Sequence, residues 1–437
     1  MNAFQFKIFT EINNCNFSKN IMISPLSIYH ILSLTTNGAE KKTLDEMLNT
    51  LCHKNKNEMN KDNLVISSVL NKFKSIELAN AVFTKFNPEN YFMNIVKQYK
   101  AKVDILKDAN QVNKWCSDAT HEKITNIIDK ITDNDMMVLI NAIYFKGVWQ
   151  KTFDKNKTHK NNFMNFNKNP VNVDFMNISN NFDYFENNDI QAISLNYNED
   201  NMKALIILPK KLDINTYIKG LNADQYYSIV KNLKNKKVNF SLPKFEIKFD
   251  AELKKNFISL GMVEAFTNNA DFSSMRKENN LKIGRIIHKT FIKVDEQGTE
   301  AAGSTAVIMV EKCAMPSNDQ KMIVNHPFLF IVRSDNLSPG HDILFMTKVE
   351  SLNGNLGSKE IKHVINISNK PINKININIT HNVKPKPTNI NQNKINPKGI
   401  NNNNNNTGKV PINKKIKISK ASQMIQVKAA VTSKKEK

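Results

Sequence analysis

The chain has 437 residues, 40% of them hydrophobic, and a formal charge of +22, which is enough apolar material for one large core or two modest ones. No apolar run approaches the ~18 residues that a membrane-spanning helix needs, so such a helix is excluded and a soluble protein is expected. The charge is uneven: 17 Lys against 2 Glu place +15 on residues 355–437 and leave +7 on residues 1–354.

Taken in chain order, the amino terminus "MNAFQFKIFTEINNCNF" has no basic stretch followed by an apolar run and a small-residue cleavage site. The expectation is no classical signal peptide, and a place in the cytoplasm or outside the cell by non-classical release. Ser24 and Pro25 open "PLSIYHILSL", where a side-chain cap and a fixed φ start a helix. "VLINAIYF" (Val138–Phe145), "KALIILP" (Lys203–Pro209) and "KVNFSLPKFEIKF" (Lys237–Phe249) have the β-branched and aromatic content of strands. "FDAELKKNFISLGM" predicts a helix with Asp250 at its amino end, Leu253, Phe257 and Leu260 on one face, and Gly261 just past its last turn. "PFLFIV" (Pro327–Val332) and "DILFMTKV" (Asp342–Val349) are strands apolar on both faces, as in the centre of a covered sheet. Helical and strand signals alternate without repeat or linker, which predicts one mixed domain over residues 1–354. The Asn- and Lys-rich stretch 355–437, broken by Pro and poor in aromatics, cannot bury enough apolar surface to order itself and is expected to be a disordered tail. Its charge suits a polyanion or an anionic surface.

Catalytic signatures are missing from the sequence. There is no Gly-x-Ser-x-Gly elbow, His-Glu-x-x-His pair, phosphate-cradling loop or Gly-x-Gly-x-x-Gly turn. Ser304 follows a glycine but has no base nearby, and His288 in the alternating "IIHKTFIKVDEQG" reads as a core histidine. Cys313 beside Lys312 has no orienting histidine, so it reads as an ordinary thiol. Cys15, Cys52, Cys116 and Cys313 are scattered without Cys-x-x-Cys spacing, which fits free thiols in a reducing compartment and no metal site. The expectation is a protein that is not an enzyme and needs no cofactor.

Residues Glu296 to Pro327 join two strand signals through about thirty residues, beyond the length at which a structureless connection becomes suspect. Within "EQGTEAAGSTAVIMVEKCAMPS", Thr299, Ala301, Gly303, Thr305, Val307 and Met309 share one face of a strand, and Glu300, Ala302, Ser304, Ala306 and Ile308 share the other. The first face is uncharged and starts small. The segment can therefore be an exposed loop or a buried strand.

At this point the sequence resembles the serpin family over essentially all of residues 1–354. The likeness is carried by "NIMISPLSIYHILSL", "NKWCSDATHEKITNII", "LINAIYFKGVWQKTF", "LPKFEIKFDAELKKNFISLGMVEAF", "VDEQGTEAAGSTA" and "NHPFLFIV", in the family's order and spacing. One departure is Glu122, where the family usually has Gly, which implies an altered turn of the helix that crosses the central sheet. The resemblance implies an α+β serpin fold: a large mixed central β-sheet, two smaller sheets, eight or nine helices and an exposed reactive loop at about 296–323. It implies a monomeric suicide inhibitor of serine proteases, in which the cut loop inserts into the sheet with the protease attached; serpins are a standard example of such strand addition and stored strain.

Counted as in the family, the reactive bond is Lys312–Cys313, and a lysine before the cut suits a trypsin-like protease with a carboxylate in its specificity pocket. Glu311 and Met315 take its place if the register slips. Glu296, Gln297, Gly298, Thr299, Glu300, Ala301, Ala302, Gly303 and Ser304 correspond to the hinge of the inhibitory type. Ser24, Ser27, Asn141 and His288 correspond to the polar shutter under the sheet, and Trp149 to the breach where insertion begins. The alternatives are a non-inhibitory serpin acting as a binding or carrier protein, and an inhibitor of another protease class.

Overall fold

The computed structural model describes residues 2–99, 101–211, 213–278, 281–299 and 319–353. Glu300 to Ser304, the Lys312–Cys313 bond with Glu311 and Met315, and the basic tail lie outside the described residues. The first half of the chain forms α1 (Asn2–Asn14), β1 (Ile21–Ile23), α2 (Pro25–Thr36), α3 (Lys41–Thr50), α4 (Lys56–Leu70), β2 (Ile76–Thr84), α5 (Asn90–Tyr99), β3 (Lys102–Ile105), α6 (Ala109–Ala119), β4 (Met137–Phe145) and β5 (Gly147–Val148). Next come β6 (His159–Met164), β7 (Pro170–Glu186), β8 (Ile190–Asn196), β9 (Met202–Pro209), α7 (Ile214–Gly220), α8 (Ala223–Asn232), β10 (Lys234–Pro243) and β11 (Phe245–Glu252). The last are α9 (Lys254–Ser259), β12 (Arg285–Asp295), β13 (Gly298–Thr299), β14 (Gln320–Ile323), β15 (Phe328–Ser334) and β16 (Ile343–Val349).

Local chemistry explains where the helices begin. Pro25 occupies the first turn of α2 and the Ser24 side chain accepts from the Ser27 N–H, while Asn55, Asp108 and Asp213 cap α4, α6 and α7 in the same way. Every residue of α2 is buried, because the helix passes between the two sheets and packs on β16, β4 and β2. A helix that is apolar nearly all round has nowhere else to go.

The fold is α+β. One sheet is seven-stranded and mixed, in the order β3-β2-β4-β12-β13-β5 with β11 on the outer side of β12. The other is a nine-stranded path, β1-β16-β15-β9-β8-β7-β10-β14, with β6 on β7. The two smaller sheets expected from the sequence are joined here: β7 is 17 residues long, and its last four residues, Asp183–Glu186, pair with β8 after the strand has run along β6 and β10. A second buried cluster, with Phe83, Val112, Cys116, Ile128, Ile140 and Ile287, fills the space between the seven-stranded sheet and the segment from α6 to residue 128.

One local prediction is corrected. Asp250 does not start a helix; it lies in β11 and its carboxylate meets Lys289 of β12 at 2.6 Å. The strand period persists through Phe245, Ile247 and Phe249 (buried) and Glu246, Lys248 and Asp250 (exposed), so the helix starts only at Lys254. Gly261 does close it, at φ +100°, where a side chain would be strained. The run read as one strand over Lys237–Phe249 is two: β10 and β11 belong to different sheets, with Lys244 alone between them.

Candidate functional site

The seven-stranded sheet has a seam. β4 and β12 run parallel and pair over six positions, from Val138 opposite Arg285 to Ile143 opposite Thr290. Beyond that level the two strands are no longer partners. The gap is filled by β13 and β5: the chain turns at Glu296–Gln297 and runs back as Gly298–Thr299, antiparallel to Val294–Asp295 on one side and to Gly147–Val148 on the other.

Gly298 is required there. A Cβ on it would sit 2.0 Å from the Gly147 carbonyl oxygen, and its φ is +157°, so only glycine allows this approach. Thr299 is fully buried, and its hydroxyl is 2.7 Å from the Tyr197 hydroxyl. Burial pushes the Tyr197 phenol well above its usual range, so it stays neutral. Trp149 stacks on Tyr197 at 4.3 Å and donates from its ring N–H to the Asp295 carbonyl at 3.0 Å and from its backbone N–H to the Gln297 carbonyl at 2.9 Å. Glu296 is held at 3.0 Å by Lys244 and accepts from the Thr158 hydroxyl at 2.9 Å. Burial alone would raise its carboxyl, but its backbone bond, Lys244 and Thr158 outweigh burial and hold it below the usual carboxylate range. A cleft of about 450 Å³ opens beside this turn, lined by Lys155, Thr158, Asp174, Lys244, Asp295, Glu296 and Gln297.

Deeper along the seam a polar rung crosses three strands. His288 of β12 is level with Asn141 of β4, which is level with Asn80 of β2. His288 Nδ1 bonds Asn141 Oδ1 at 2.5 Å, and His288 Nε2 accepts from the Ser24 N–H at 3.2 Å. Asn141 Nδ2 in turn donates to Ser27 Oγ and to Asn80 Oδ1. The rung continues through Asn80 Nδ2 to His30 Nδ1 at 3.3 Å and from His30 Nε2 to Ser67 Oγ at 3.1 Å. Burial pushes His288 down to about 3 and His30 to about 4, so both are neutral at pH 7. The neutral state fits the bonding: His288 carries its proton on Nδ1, the nitrogen that meets the Asn141 carbonyl oxygen, and leaves Nε2 free to accept.

The structure thus brings Ser24, Ser27, Asn141 and His288 into one network, and Trp149, Glu296, Gln297, Gly298 and Thr299 into another, higher on the same seam. Sequence reasoning missed Asn80, His30 and Ser67 in the first network, and Tyr197, Thr158 and Lys244 in the second. Asn80 had a signal, a single amide inside the apolar "IELANAVFT"; Tyr197 had none. Glu122, flagged as a departure, sits with His121 in the left-handed region at φ +62° and +49°, directly after α6, whose Trp115 packs edge-on against Phe83 of β2.

Among the described residues no helix is long and apolar enough to cross a membrane, and no group of three or more His, Cys, Asp or Glu side chains could hold a metal ion. The family model described as Serpin (serine protease inhibitor) matches residues 1–352. The chain belongs to the serpin family. It is 31% identical to the serpin "Intracellular coagulation inhibitor 2" of Tachypleus tridentatus over 365 residues, 77% of this chain and 87% of that one. Among solved serpins it is similar to the thermophilic serpin tengpin in its native state, with TM-score 0.74, 31% identity, and 80% of this chain and 93% of that one covered. It is also similar to thyroxine-binding globulin in complex with thyroxine, with TM-score 0.72, 25% identity, and 80% and 97% covered.

Proposed function

We infer that this serpin inhibits trypsin-like serine proteases by loop insertion and is not itself an enzyme. The reading assigns Lys312–Cys313 as the scissile bond, Glu296 to Ser304 as the hinge, the His288 network as the shutter and Trp149 as part of the breach. The observation that carries it is β13: Gly298 and Thr299 already pair as a strand between β12 and β5, in line with the seam that a longer strand would follow. Residues 299 to 312 reach roughly 45 Å when extended, enough to run the length of such a sheet. Thr299 is uncharged and fully buried, as the leading residue of an inserting strand must be. The reading includes a single-domain body, a monomer, action in the cytoplasm or after non-classical release, and no cofactor; the basic tail serves as an anchor to a polyanion or an anionic surface.

A carrier role like that of thyroxine-binding globulin is the second reading. It is less supported, since the cleft beside the hinge is lined wholly by polar and charged side chains, unlike a pocket for a largely apolar ligand. Incubation with trypsin separates the two. The expected products are an SDS-stable adduct, a released fragment beginning at Cys313, and a cleaved chain that melts at a higher temperature than the intact one. Clean cleavage after Lys312, with no adduct and no rise in melting temperature, would overturn the inhibitory reading.

A further inference from the structure

The corner between α3 and α4 holds a second polar cluster, outside both networks of the seam. His53 in that corner and His341 in the turn between β15 and β16 are both buried. Their Nε2 atoms face the same carboxylate oxygen, Oδ2 of Asp62 on α4, at 3.9 and 3.6 Å. The Tyr29 ring of α2 packs on both imidazoles, with ring centres 5.8 Å from His53 and 5.9 Å from His341. Its hydroxyl is 2.8 Å from His53 Nε2 and accepts from Asn63 Nδ2 of α4 at 3.3 Å. The Nδ1 atoms of both histidines are buried without a hydrogen-bond partner among the described residues. Gln5 of α1 donates to the Gly340 carbonyl, which fixes the turn that carries His341.

This arrangement suits neutral imidazoles only. Burial pushes the Tyr29 phenol well above its usual range, so it keeps its proton. With the Asn63 amide on its oxygen, the hydroxyl turns that proton to His53 Nε2, which accepts it only when unprotonated. Charging both rings would set two imidazolium ions against one carboxylate that is 41% exposed, and would leave an N–H buried without an acceptor at each Nδ1. Asp62 favours charge on both rings and Glu58 favours it on His53, while the amino terminus opposes it. Asp342, beside His341, is engaged by Tyr226, Tyr227 and Arg333. Burial outweighs the carboxylates and lowers both histidines, His341 to about 4.

The cluster is joined to the seam through one face of α4. Asn60, Asn63 and Ser67, spaced three and four residues apart, meet Asn37, Tyr29 and His30 at the end of α2 and along it. Ser67 is the outer end of the polar rung. We propose that His53, His341 and Asp62 form an acid-operated latch, which holds α4 on α2 at neutral pH and releases it in mildly acidic solution, freeing Ser67 from the rung. The latch goes beyond the inhibitory reading and does not depend on it. Opening the corner returns both rings to water and to the ordinary value of ~6.5, so the open form binds the extra protons and gains as pH falls below about 6.5. His341 alone makes opening about twentyfold more frequent at pH 5 than at pH 7.

The test is hydrogen exchange of the full chain, read by mass spectrometry at pH 7 and pH 5 and referenced to the intrinsic amide rate at each pH. Peptides covering residues 51–70 are expected to lose about twentyfold or more in protection at pH 5, while those of β9 and β15 lose less. The variant His53→Gln/His341→Gln removes most of that loss, and His30→Gln leaves it in place. Should the double variant fail to fold, the parent decides by itself: equal protection of residues 51–70 at the two pH values overturns the proposal. The same loss in parent and double variant overturns it as well. So does a loss spread evenly over α4, β9 and β15, which marks global destabilisation, or one abolished by His30→Gln, which assigns the response to the rung.

Discussion

The upper and middle levels of one seam are built on opposite principles. At the level of Gly298–Thr299, β4 and β12 stand apart and the space between them is already taken by two residues, fitted so closely that a methyl group on Gly298 would overlap the Gly147 carbonyl. About six residues further down β12, the same two strands are paired directly and pinned by the His288–Asn141 bond, with Ser24, Ser27 and Asn80 attached to it. The first level has accepted a third strand; the second must break a buried polar rung to do so. Under the proposed loop insertion, the resistance to a longer strand would sit at the rung, where a broken hydrogen bond leaves buried donors and acceptors unpaired, and not at the entrance.

The largest expected effect comes from blocking the entrance. Thr299→Arg places a charge where a fully buried hydroxyl meets Tyr197; SDS-stable adduct with trypsin is lost and the protein becomes a substrate cut at an unchanged rate, as read by gel and by fragment mass. Unchanged adduct yield would show that the entrance does not gate insertion. Weakening the rung comes next. Asn141→Ala removes the acceptor for His288 and the donor to Ser27 and Asn80, and lowers stability by about 3 kcal/mol in urea unfolding; a loss under about 1 kcal/mol would mean that the network does not hold the seam.

Acid sharpens the comparison further. His288 and His30 have folded values of about 3 and about 4, below the ~6.5 of an unfolded histidine. Between those limits the unfolded chain binds the extra protons, so stability is full above about pH 6.5 and falls as pH drops, by up to ~1.4 kcal/mol per pH unit for each histidine. The urea midpoint measured from pH 7 to pH 5 shows this slope, and His288→Gln removes part of it. The smallest effect lies away from the seam's core. Glu122→Gly relieves a left-handed residue at φ +62° and stabilises the protein by about 1 kcal/mol, seen as a higher melting temperature with adduct formation unchanged.

The strands β4, β9, β15 and β16 were legible because their apolar runs are long, as in "VLINAIYF" and "DILFMTKV", whereas β6 and β7, polar and only partly buried, were not read. The seam residues Ser24, Ser27, Asn141 and His288 were legible only through family resemblance, since nothing in their spacing places them on one level; that level is set by the register of β12, β4 and β2. Tyr197 and Lys244 were not legible at all, because each reaches Thr299 or Glu296 from a distant strand end. Asp250 misled because "AELKKNFIS" has helix-forming residues, yet the alternation begun at Phe245 carries the strand past them. Gly298 and Thr299 were named only as part of the hinge that the resemblance implies; the sequence did not say that they belong to the sheet.

Lys244 stands alone between a strand of one sheet and a strand of the other, and its ammonium grips the carboxylate of Glu296 at the turn before β13. It works like a single rivet through two plates. Any pull on the turn at Glu296 is delivered to the junction of β10 and β11, so the layer that carries β14 is tied to the seam of the other sheet.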